Sequence, residues 1–302
     1  MFAVTGMTGQ VGSAVARTLL AQGKEIRAVV RNADKAGQWK ALGCDIAVAD
    51  MNDSAAMTEA FADVDGVFIL LPPTFDPSPG FVEASRTVAA IRTALVHARP
   101  ARTVCLSTIG ADADQPNLLN QLRMLEQALA GLPMPIAFLR AAWFIENAAW
   151  DVAAARETGV MPSFLQPLDK PVPMVATADV GRVAAELLQQ DWQGQRVVNL
   201  EGPRRITPND IAASFAGLLG RPVKAEIVPR GGWHELFIAQ GMKNPLPRIQ
   251  MLDGFNQGWI EFDGGEAASR KGKVRLDSVL AQLVRGNIVA GQAVEQDQPA
   301  GD

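Results

Sequence analysis

The sequence has no tyrosine, and it has only two cysteines and two histidines among its 302 residues. Without tyrosine, no phenol of this chain can exchange a proton. Cys44 and Cys105 lie in apolar, strand-like segments, which favours buried small hydrophobic residues over a redox pair. His97 and His234 are far apart in the sequence, and no residues have metal-ligand spacing, so we expect no metal site.

Clusters of like charge and long apolar runs are also missing. The 28 basic and 32 acidic side chains give a net charge of −4, and no Lys/Arg run stands out, which argues against nucleic-acid binding. No apolar stretch is long enough to cross a bilayer. The first strand is predicted to begin at residue 1 or 2, which leaves no room for a targeting peptide. We therefore expect a cytoplasmic protein that binds neither nucleic acid nor membranes.

The first half of the chain alternates strand-like and helix-like segments. This repeated order predicts a Rossmann-type α/β fold, in which a doubly wound parallel sheet carries helices on both faces. The apolar run 66–72 is continuous, as expected of a strand that is buried on both faces. The predicted strands are 1–6, 25–31, 45–50, 66–72, 102–108 and 135–141. The predicted helices are 10–22, 33–42, 53–61, about 80–98, and 117–130.

The second half is less regular, and it predicts a smaller, irregular α+β lobe. We assign residues 1–150 to the Rossmann domain and 151–290 to this lobe, and we expect the chain to cross between the two more than once. Residues 232–285 are predicted to be helical, with a loop near 264–273. The polar segment 291–302 is predicted to be a disordered tail.

Two helix starts in the second half have capping candidates. Thr207 is predicted to be the N-cap of a helix that has Pro208 at its first position and Gly220 just past its end. Asp179 is predicted to be the N-cap of another helix, which comes before the Thr207 helix in the chain.

The segment TGMTGQVG, residues 5–12, lies between the first strand and the first helix. Gly6 permits a tight turn, Gly9 lets the backbone approach a pyrophosphate, and Gly12 lets helix and strand pack closely. The helix N-terminus then offers N–H groups to the phosphates. The spacing G-x-x-G-x-x-G is also compatible with a plain turn, but the β-α order on both sides favours dinucleotide binding.

The end of the second strand indicates which dinucleotide is bound. Arg31 lies near the position where an NAD enzyme has an acidic residue that binds the ribose. A guanidinium there suits a 2′-phosphate, and Lys35 adds a second positive charge. The alternative is a solvated surface arginine. The functional interpretation predicts a preference for NADP(H) over NAD(H).

Four segments together resemble the NmrA-like family of atypical short-chain dehydrogenases/reductases: TGMTGQVG, VVRNADK, ADMND at 49–53 and LRAAWFIEN at 139–147. The resemblance covers most of the chain, through GLLGRPVKAEIVP. It implies that one loop holds the pyrophosphate through Gly6, Thr8, Gly9, Gln10 and Val11, with Met7 in the same loop. It implies an adenosine-phosphate site made of Arg31, Asn32 and Lys35, and adenine contacts from Asp50 and Met51. It places the nicotinamide side beside Leu71, Pro72, Pro73, Phe144, Ile145, Glu146 and Asn147. For Asp50, helix capping or simple solvation is equally open.

The resemblance also predicts where a proton donor is missing. Short-chain dehydrogenases usually protonate substrate with a Tyr-x-x-x-Lys pair, and in this family an acidic residue often follows the lysine by four positions. Glu126 fits that acid, which puts Leu122 at the lysine and Leu118 at the tyrosine. Neither leucine can exchange a proton. The pattern therefore argues against ketone reduction or epimerisation by that pair.

Two classes of function stay open. The first is an NADP(H)-dependent reductase of soft acceptors such as quinones, azo compounds, imines or activated alkenes, for which water supplies the proton and the cofactor supplies the chemistry. Its partner would be an apolar or aromatic small molecule. The second is a non-catalytic NADP(H) redox sensor that acts on a regulatory protein partner, and a homodimer is open in either case. The nucleotide could drive such a sensor only if it bound the two states of the protein with unequal affinity.

No catalytic residue is assigned, but three polar candidates and a set of aromatic residues can be named. Ser107 and Thr108 end the fifth strand, where they either bind substrate or cap the strand. Asn120 is a candidate whose alternative is a solvated helix face. Several aromatic residues either wall an apolar cleft or belong to the core, namely Trp143, Phe144, Trp150, Phe164, Trp233, Phe237 and Phe255.

Overall fold

The computed structural model describes residues 1–286, so the predicted disordered tail at 291–302 lies outside the described residues. The strands are β1 (Phe2–Thr5), β2 (Ile26–Val30), β3 (Asp45–Val48), β4 (Gly66–Ile69), β5 (Thr103–Thr108), β6 (Ile136–Ala141), β7 (Trp143–Phe144), β8 (Val160–Ser163), β9 (Met174–Val175), β10 (Gln195–Glu201), β11 (Lys224–Ile227) and β12 (Arg270–Lys271). The helices are α1 (Gln10–Ala21), α2 (Gly37–Ala41), α3 (Ser54–Phe61), α4 (Val82–Ala98), α5 (Asn120–Leu129), α6 (Val152–Glu157), α7 (Thr177–Leu188), α8 (Pro208–Leu219), α9 (Trp233–Ala239), α10 (Leu246–Gln257) and α11 (Leu276–Val284).

One large parallel sheet organises the molecule, in the strand order β3-β2-β1-β4-β5-β6-β10-β12. The chain starts in the middle at β1, moves outward through β2 and β3, and returns to β4 on the other side of β1. This reversal opens a crevice at the carboxyl ends of β1 and β4, which is where ligands bind in open α/β sheets. The predicted doubly wound parallel sheet is confirmed.

Two apolar cores cover the two faces of the sheet. One joins the inner faces of α1 and α7 to the sheet and continues into the C-terminal lobe. The other joins α3, α4 and α5 to the opposite face. Every residue of β4 is buried, as expected for a strand that is covered on both sides. Cys44 and Cys105 are buried and unpaired, which confirms their prediction as small hydrophobic residues.

The second half of the chain returns to the sheet twice. β10 pairs with β6 over six residue pairs, and β12 pairs with β10 at the edge. α7 also packs on this sheet beside α1. The other elements of the second half belong to the predicted lobe, and they include the two-stranded parallel sheet of β8 and β11. β12 lies inside the predicted loop 264–273, where a strand of two residues produces no recognisable alternation. None of the helices within residues 1–286 is long and apolar enough to cross a bilayer.

The helix caps agree with the sequence in one case and differ in the other. The Thr207 hydroxyl accepts the Asp210 N–H at 3.0 Å, and the Asp210 carboxylate accepts the Thr207 N–H at 2.8 Å. Pro208 begins α8 and Gly220 follows its end in the left-handed region, so this prediction is confirmed.

The prediction that Asp179 caps α7 is wrong. The N-cap is Ala176, and Asp179 lies in the first turn with 1% of its surface exposed. Its carboxylate accepts the backbone N–H groups of Lys273 and Val274 at 2.8 Å each. A buried carboxylate needs strong donors, and a segment 94 residues away supplies them.

Candidate functional site

The glycine turn forms the centre of the candidate site at the carboxyl end of β1. Gly6 has a φ of +69°, which favours glycine. A Cβ at position 12 would lie 2.3 Å from the carbonyl oxygen of Gly6, so only glycine lets α1 pack this closely on the strand. Gly9 is exposed and is the N-cap of α1, where no side chain caps the helix. A dinucleotide pyrophosphate fits this uncapped N-terminus.

The hydroxyl of Thr5 holds the turn against the neighbouring strand. It donates to the carbonyl of Phe68 at 3.1 Å and accepts the N–H of Leu70 at 2.9 Å. These two hydrogen bonds join β1 to β4 at the point where the strand order reverses. Sequence reasoning assigned no role to Thr5, and its only signal was a polar residue at the end of a buried apolar strand.

Two cations lie at the carboxyl end of β2, next to the glycine turn. Arg31 follows the strand directly and is exposed, as is Lys35. The Asn32 side chain accepts the N–H of Asp34 at 2.8 Å and so begins the short 3-10 turn that presents Lys35. In the part of the chain that the structure describes, neither cation is paired with a carboxylate. Both side chains are therefore available to a phosphate ester.

The predicted adenine contacts differ in their exposure. Asp50 is exposed, and its carboxylate accepts the N–H of Asn52 at 2.8 Å. Helix capping is not its role, because Asp53 caps α3 through the N–H groups of Ala55 and Ala56. Met51 is buried in the core beneath α3 and α4, so only the edge of its side chain is open to a ligand.

The nicotinamide side is predicted from the loops that follow β4 and β6. Leu71 is buried, whereas Pro72 and Pro73 are exposed at the beginning of the loop to α4. After β6, Phe144 and Asn147 are half-buried and have surface to offer.

Ile145 and Glu146 point into the protein, and Glu146 ties this segment to α7. Both side chains are buried. One carboxylate oxygen of Glu146 accepts the backbone N–H of Thr177 at 2.9 Å and the hydroxyl of Thr177 at 2.7 Å. Burial raises the pKa of Glu146 above its usual range. The structure thus gives Glu146 a positioning role, and direct contact with a cofactor stays a prediction.

A buried ion pair lies close to the place where the Tyr–Lys pair is missing. The Arg140 guanidinium donates two hydrogen bonds, of 2.9 and 2.7 Å, to the Glu126 carboxylate. Both side chains are largely buried. The Ser107 hydroxyl donates to Glu126 at 2.5 Å. Leu118 is buried and its N–H donates to the carbonyl of Pro247 in the lobe at 2.9 Å. The Glu126 carboxylate is therefore held by hydrogen bonds within the protein.

The three polar candidates have different surroundings. Ser107 is buried with its proton directed to Glu126. The Asn120 side-chain oxygen accepts the N–H of Asn117 at 2.7 Å at the start of α5. Thr108 is half-buried at the end of β5, and within residues 1–286 its hydroxyl has no hydrogen-bond partner. Thr108 is the candidate that is most open to a ligand.

Three of the seven candidate cleft aromatics are buried in the core, namely Trp233, Phe237 and Phe255. Trp233 and Phe237 are fully buried and contact Phe164 at centroid distances of 5.6 and 5.3 Å. Phe255 is also buried and meets Trp143 edge to face at 5.2 Å. The cleft-wall interpretation is therefore wrong for the buried rings, which pack against one another.

Comparison with known proteins agrees with this architecture. NAD(P)H azoreductase of Xenophilus azovorans is 29% identical over 248 residues, which cover 82% of this chain and 83% of that protein. Quinone oxidoreductase 2 of Escherichia coli is 27% identical over 228 residues, which cover 74% of this chain and 76% of that protein.

Solved structures show the same fold. An NADPH-dependent quinone oxidoreductase of Escherichia coli, in complex with NADPH, has a TM-score of 0.78 at 24% identity and covers 94% of this chain and 99% of its own. The triphenylmethane reductase of Citrobacter has a TM-score of 0.77 at 20% identity, with coverages of 94% and 99%. The family model described as the NmrA-like family matches residues 1–261, and the chain therefore belongs to the NmrA-like family.

Proposed function

We propose that this protein is an NADP(H)-dependent reductase that delivers hydride to a quinone or azo acceptor. The observation that carries the proposal is the combination of an uncapped glycine turn with buried leucine where a proton-donating tyrosine is expected. The first feature suits a dinucleotide, and the second favours an acceptor that needs no strong acid from the protein. The azoreductase and the quinone oxidoreductase among its relatives support this class of acceptor.

The chain's own residues account for cofactor binding. The pyrophosphate would lie on the N-terminus of α1 at Gly9, and the 2′-phosphate between Arg31 and Lys35. The two exposed cations support NADP(H) over NAD(H), because a guanidinium forms charge-assisted hydrogen bonds with a phosphate and gains nothing comparable from a ribose hydroxyl. Leu71 and the two prolines after it would support the nicotinamide side.

The reaction needs two electrons and two protons in total. NADPH, when bound, would supply a hydride, which carries two electrons and one proton, and water would supply the other proton. A quinone would then leave as a hydroquinone, or an azo compound as a hydrazine, with NADP⁺ as the oxidised product. The protein's part would be to hold the acceptor against the cofactor. The Thr108 hydroxyl, which has no hydrogen-bond partner within residues 1–286, would orient an acceptor oxygen or nitrogen.

Turnover with a panel of acceptors tests the proposal. Purified protein is mixed with NADPH and either a quinone, an azo dye or an imine, and the nicotinamide absorbance is followed. We expect NADPH consumption with quinone or azo compounds. Tight binding of both NADPH and NADP⁺ with no turnover of any acceptor would contradict the proposal and favour the redox sensor.

A further inference from the structure

Two aromatic rings are exposed beside the candidate site. Phe75 is 46% exposed and Trp150 is 53% exposed. Their ring centroids are 6.4 Å apart, and the planes meet edge to face at 82°. Single exposed apolar residues need no explanation, but two large rings in contact form a continuous apolar surface. Other aromatic rings of this chain, such as Trp233 and Phe237, are fully buried, so the exposure of this pair is a distinct feature.

The topology places this pair above the end of β5. Phe75 lies in the loop that leaves the carboxyl end of β4, and Trp150 lies in the 3-10 turn Ile145–Asp151, which follows β6 and the two-residue strand β7. β5 lies between those two strands in the sheet. The contact between the two rings joins the chain beyond β4 to the chain beyond β6, on the side of the sheet where β5 ends at Thr108. The nicotinamide side is predicted at these same loops, two residues before Phe75 at Pro73 and three residues before Trp150 at Asn147.

The loop that carries Phe75 is fixed on both sides of the ring. On one side, the Gln121 side chain donates to the carbonyl of Thr74 at 3.0 Å. On the other, the Asp76 carboxylate accepts the backbone N–H groups of Lys243 and Asn244 at 2.8 and 2.7 Å. The loop is thus anchored on both sides of Phe75, while 46% of the surface of this residue stays exposed. A binding surface that is ordered in advance avoids the entropic cost of ordering on binding.

We propose that Phe75 and Trp150 form the surface on which a planar aromatic acceptor stacks for reduction. This inference rests on the proposed reductase function and adds to it a preference among acceptors. An edge-to-face pair presents the open face of one ring and the edge of the other, and both arrangements attract a further aromatic ring. The surface favours acceptors with two fused or conjugated rings, because a single ring covers less of the pair.

The test uses the full chain with four proteins: the wild type, Phe75→Leu, Trp150→Leu and the control Leu42→Ala. Leu42 is also exposed and apolar, but it follows the carboxyl end of α2, at the opposite edge of the sheet. A two-ring naphthoquinone and a one-ring benzoquinone are compared by steady-state kinetics. Calorimetry measures NADPH binding, and naphthoquinone binding to the NADP⁺ complex, which requires no turnover. Sedimentation measures the oligomeric state.

Each aromatic variant is expected to raise KM for the naphthoquinone, and its Kd on the NADP⁺ complex, by about tenfold. The KM for benzoquinone is expected to change less than threefold. The Leu42→Ala variant is expected to have the wild-type KM and Kd values, and all variants are expected to bind NADPH as tightly as the wild type. Equal naphthoquinone Kd values in wild type and variants would overturn the inference, as would a change in oligomeric state in place of acceptor affinity. Wild type that binds the naphthoquinone through these rings but never reduces it would instead overturn the proposed reductase function alone.

Discussion

Gly12→Ala is expected to destabilise the fold through a backbone clash. A Cβ at position 12 would lie 2.3 Å from the carbonyl oxygen of Gly6 and 2.7 Å from that of Thr5. Both neighbours are backbone atoms, so no change of rotamer relieves the contact. We expect the free energy of unfolding to fall by about 1–3 kcal/mol, the usual cost of overpacking. For a chain of 302 residues that corresponds to a Tm decrease of roughly 2–5 °C.

Gly9→Ala is the matched variant, which is expected to affect binding more than folding. Its Cβ would meet the Gly6 carbonyl oxygen at 3.5 Å, an ordinary contact. The backbone at φ −99° and ψ 177° also suits alanine. Alanine is the poorer N-cap, which costs at most about 1 kcal/mol. The added methyl group lies where a pyrophosphate approaches the turn, so NADPH affinity is expected to fall roughly tenfold or more.

Scanning calorimetry gives the Tm of both variants, and titration calorimetry gives their NADPH affinity. The expected pattern is a lower Tm for Gly12→Ala, and weakened NADPH binding with a nearly unchanged Tm for Gly9→Ala. A Gly9→Ala protein that binds NADPH as tightly as the wild type would refute the assignment of the turn. A Gly12→Ala protein with the wild-type Tm would refute the packing argument.

Three further predictions concern charged groups. Arg31→Asp is expected to weaken NADPH about tenfold or more relative to NADH in titration calorimetry; an unchanged ratio would mean that Arg31 does not contact the 2′-phosphate. Glu126→Gln removes one of the two carboxylates that pair with the largely buried Arg140, Asp112 being the other, and urea unfolding is expected to show a loss of about 1.5–3 kcal/mol; a loss near zero would contradict the ion pair. Burial raises the pKa of Asp151 from 3.8 to about 7, so the unfolded chain loses this proton first and wild-type stability falls as the pH rises through that interval. Asp151→Asn is therefore expected to gain stability relative to the wild type above about pH 7 and not below about pH 4, and a pH-independent difference in urea unfolding would contradict this.

Local sequence signals predicted the sheet and its crossovers. The apolar strand 66–72 and the alternating helices produce periodicities that a short window captures. The N-cap Thr207 was predictable from residue types close in the sequence, whereas its reciprocal partner Asp210 was not predicted. The prediction for Asp179 was wrong, because its hydrogen-bond partners Lys273 and Val274 are distant in the sequence and no local signal predicts that contact.

The candidate site was predictable where a backbone conformation demands a residue type. Gly6 and Gly12 are required by a left-handed turn and a close approach, and both requirements were visible in the spacing. Arg140 was missed, although a charge inside an otherwise apolar strand signals a buried partner. The contact between Phe75 and Trp150 had no sequence signal, because it depends on which loops the finished sheet brings together.

Titration of the wild-type protein with NADPH, NADP⁺, NADH and NAD⁺ tests the central claim most directly. The claim is that the turn at Gly9 binds the pyrophosphate while Arg31 and Lys35 bind the 2′-phosphate. We predict one nucleotide per chain, with NADPH and NADP⁺ bound more tightly than NADH and NAD⁺. Absence of binding heat with all four nucleotides at several temperatures, or tighter binding of NADH than of NADPH, would contradict it.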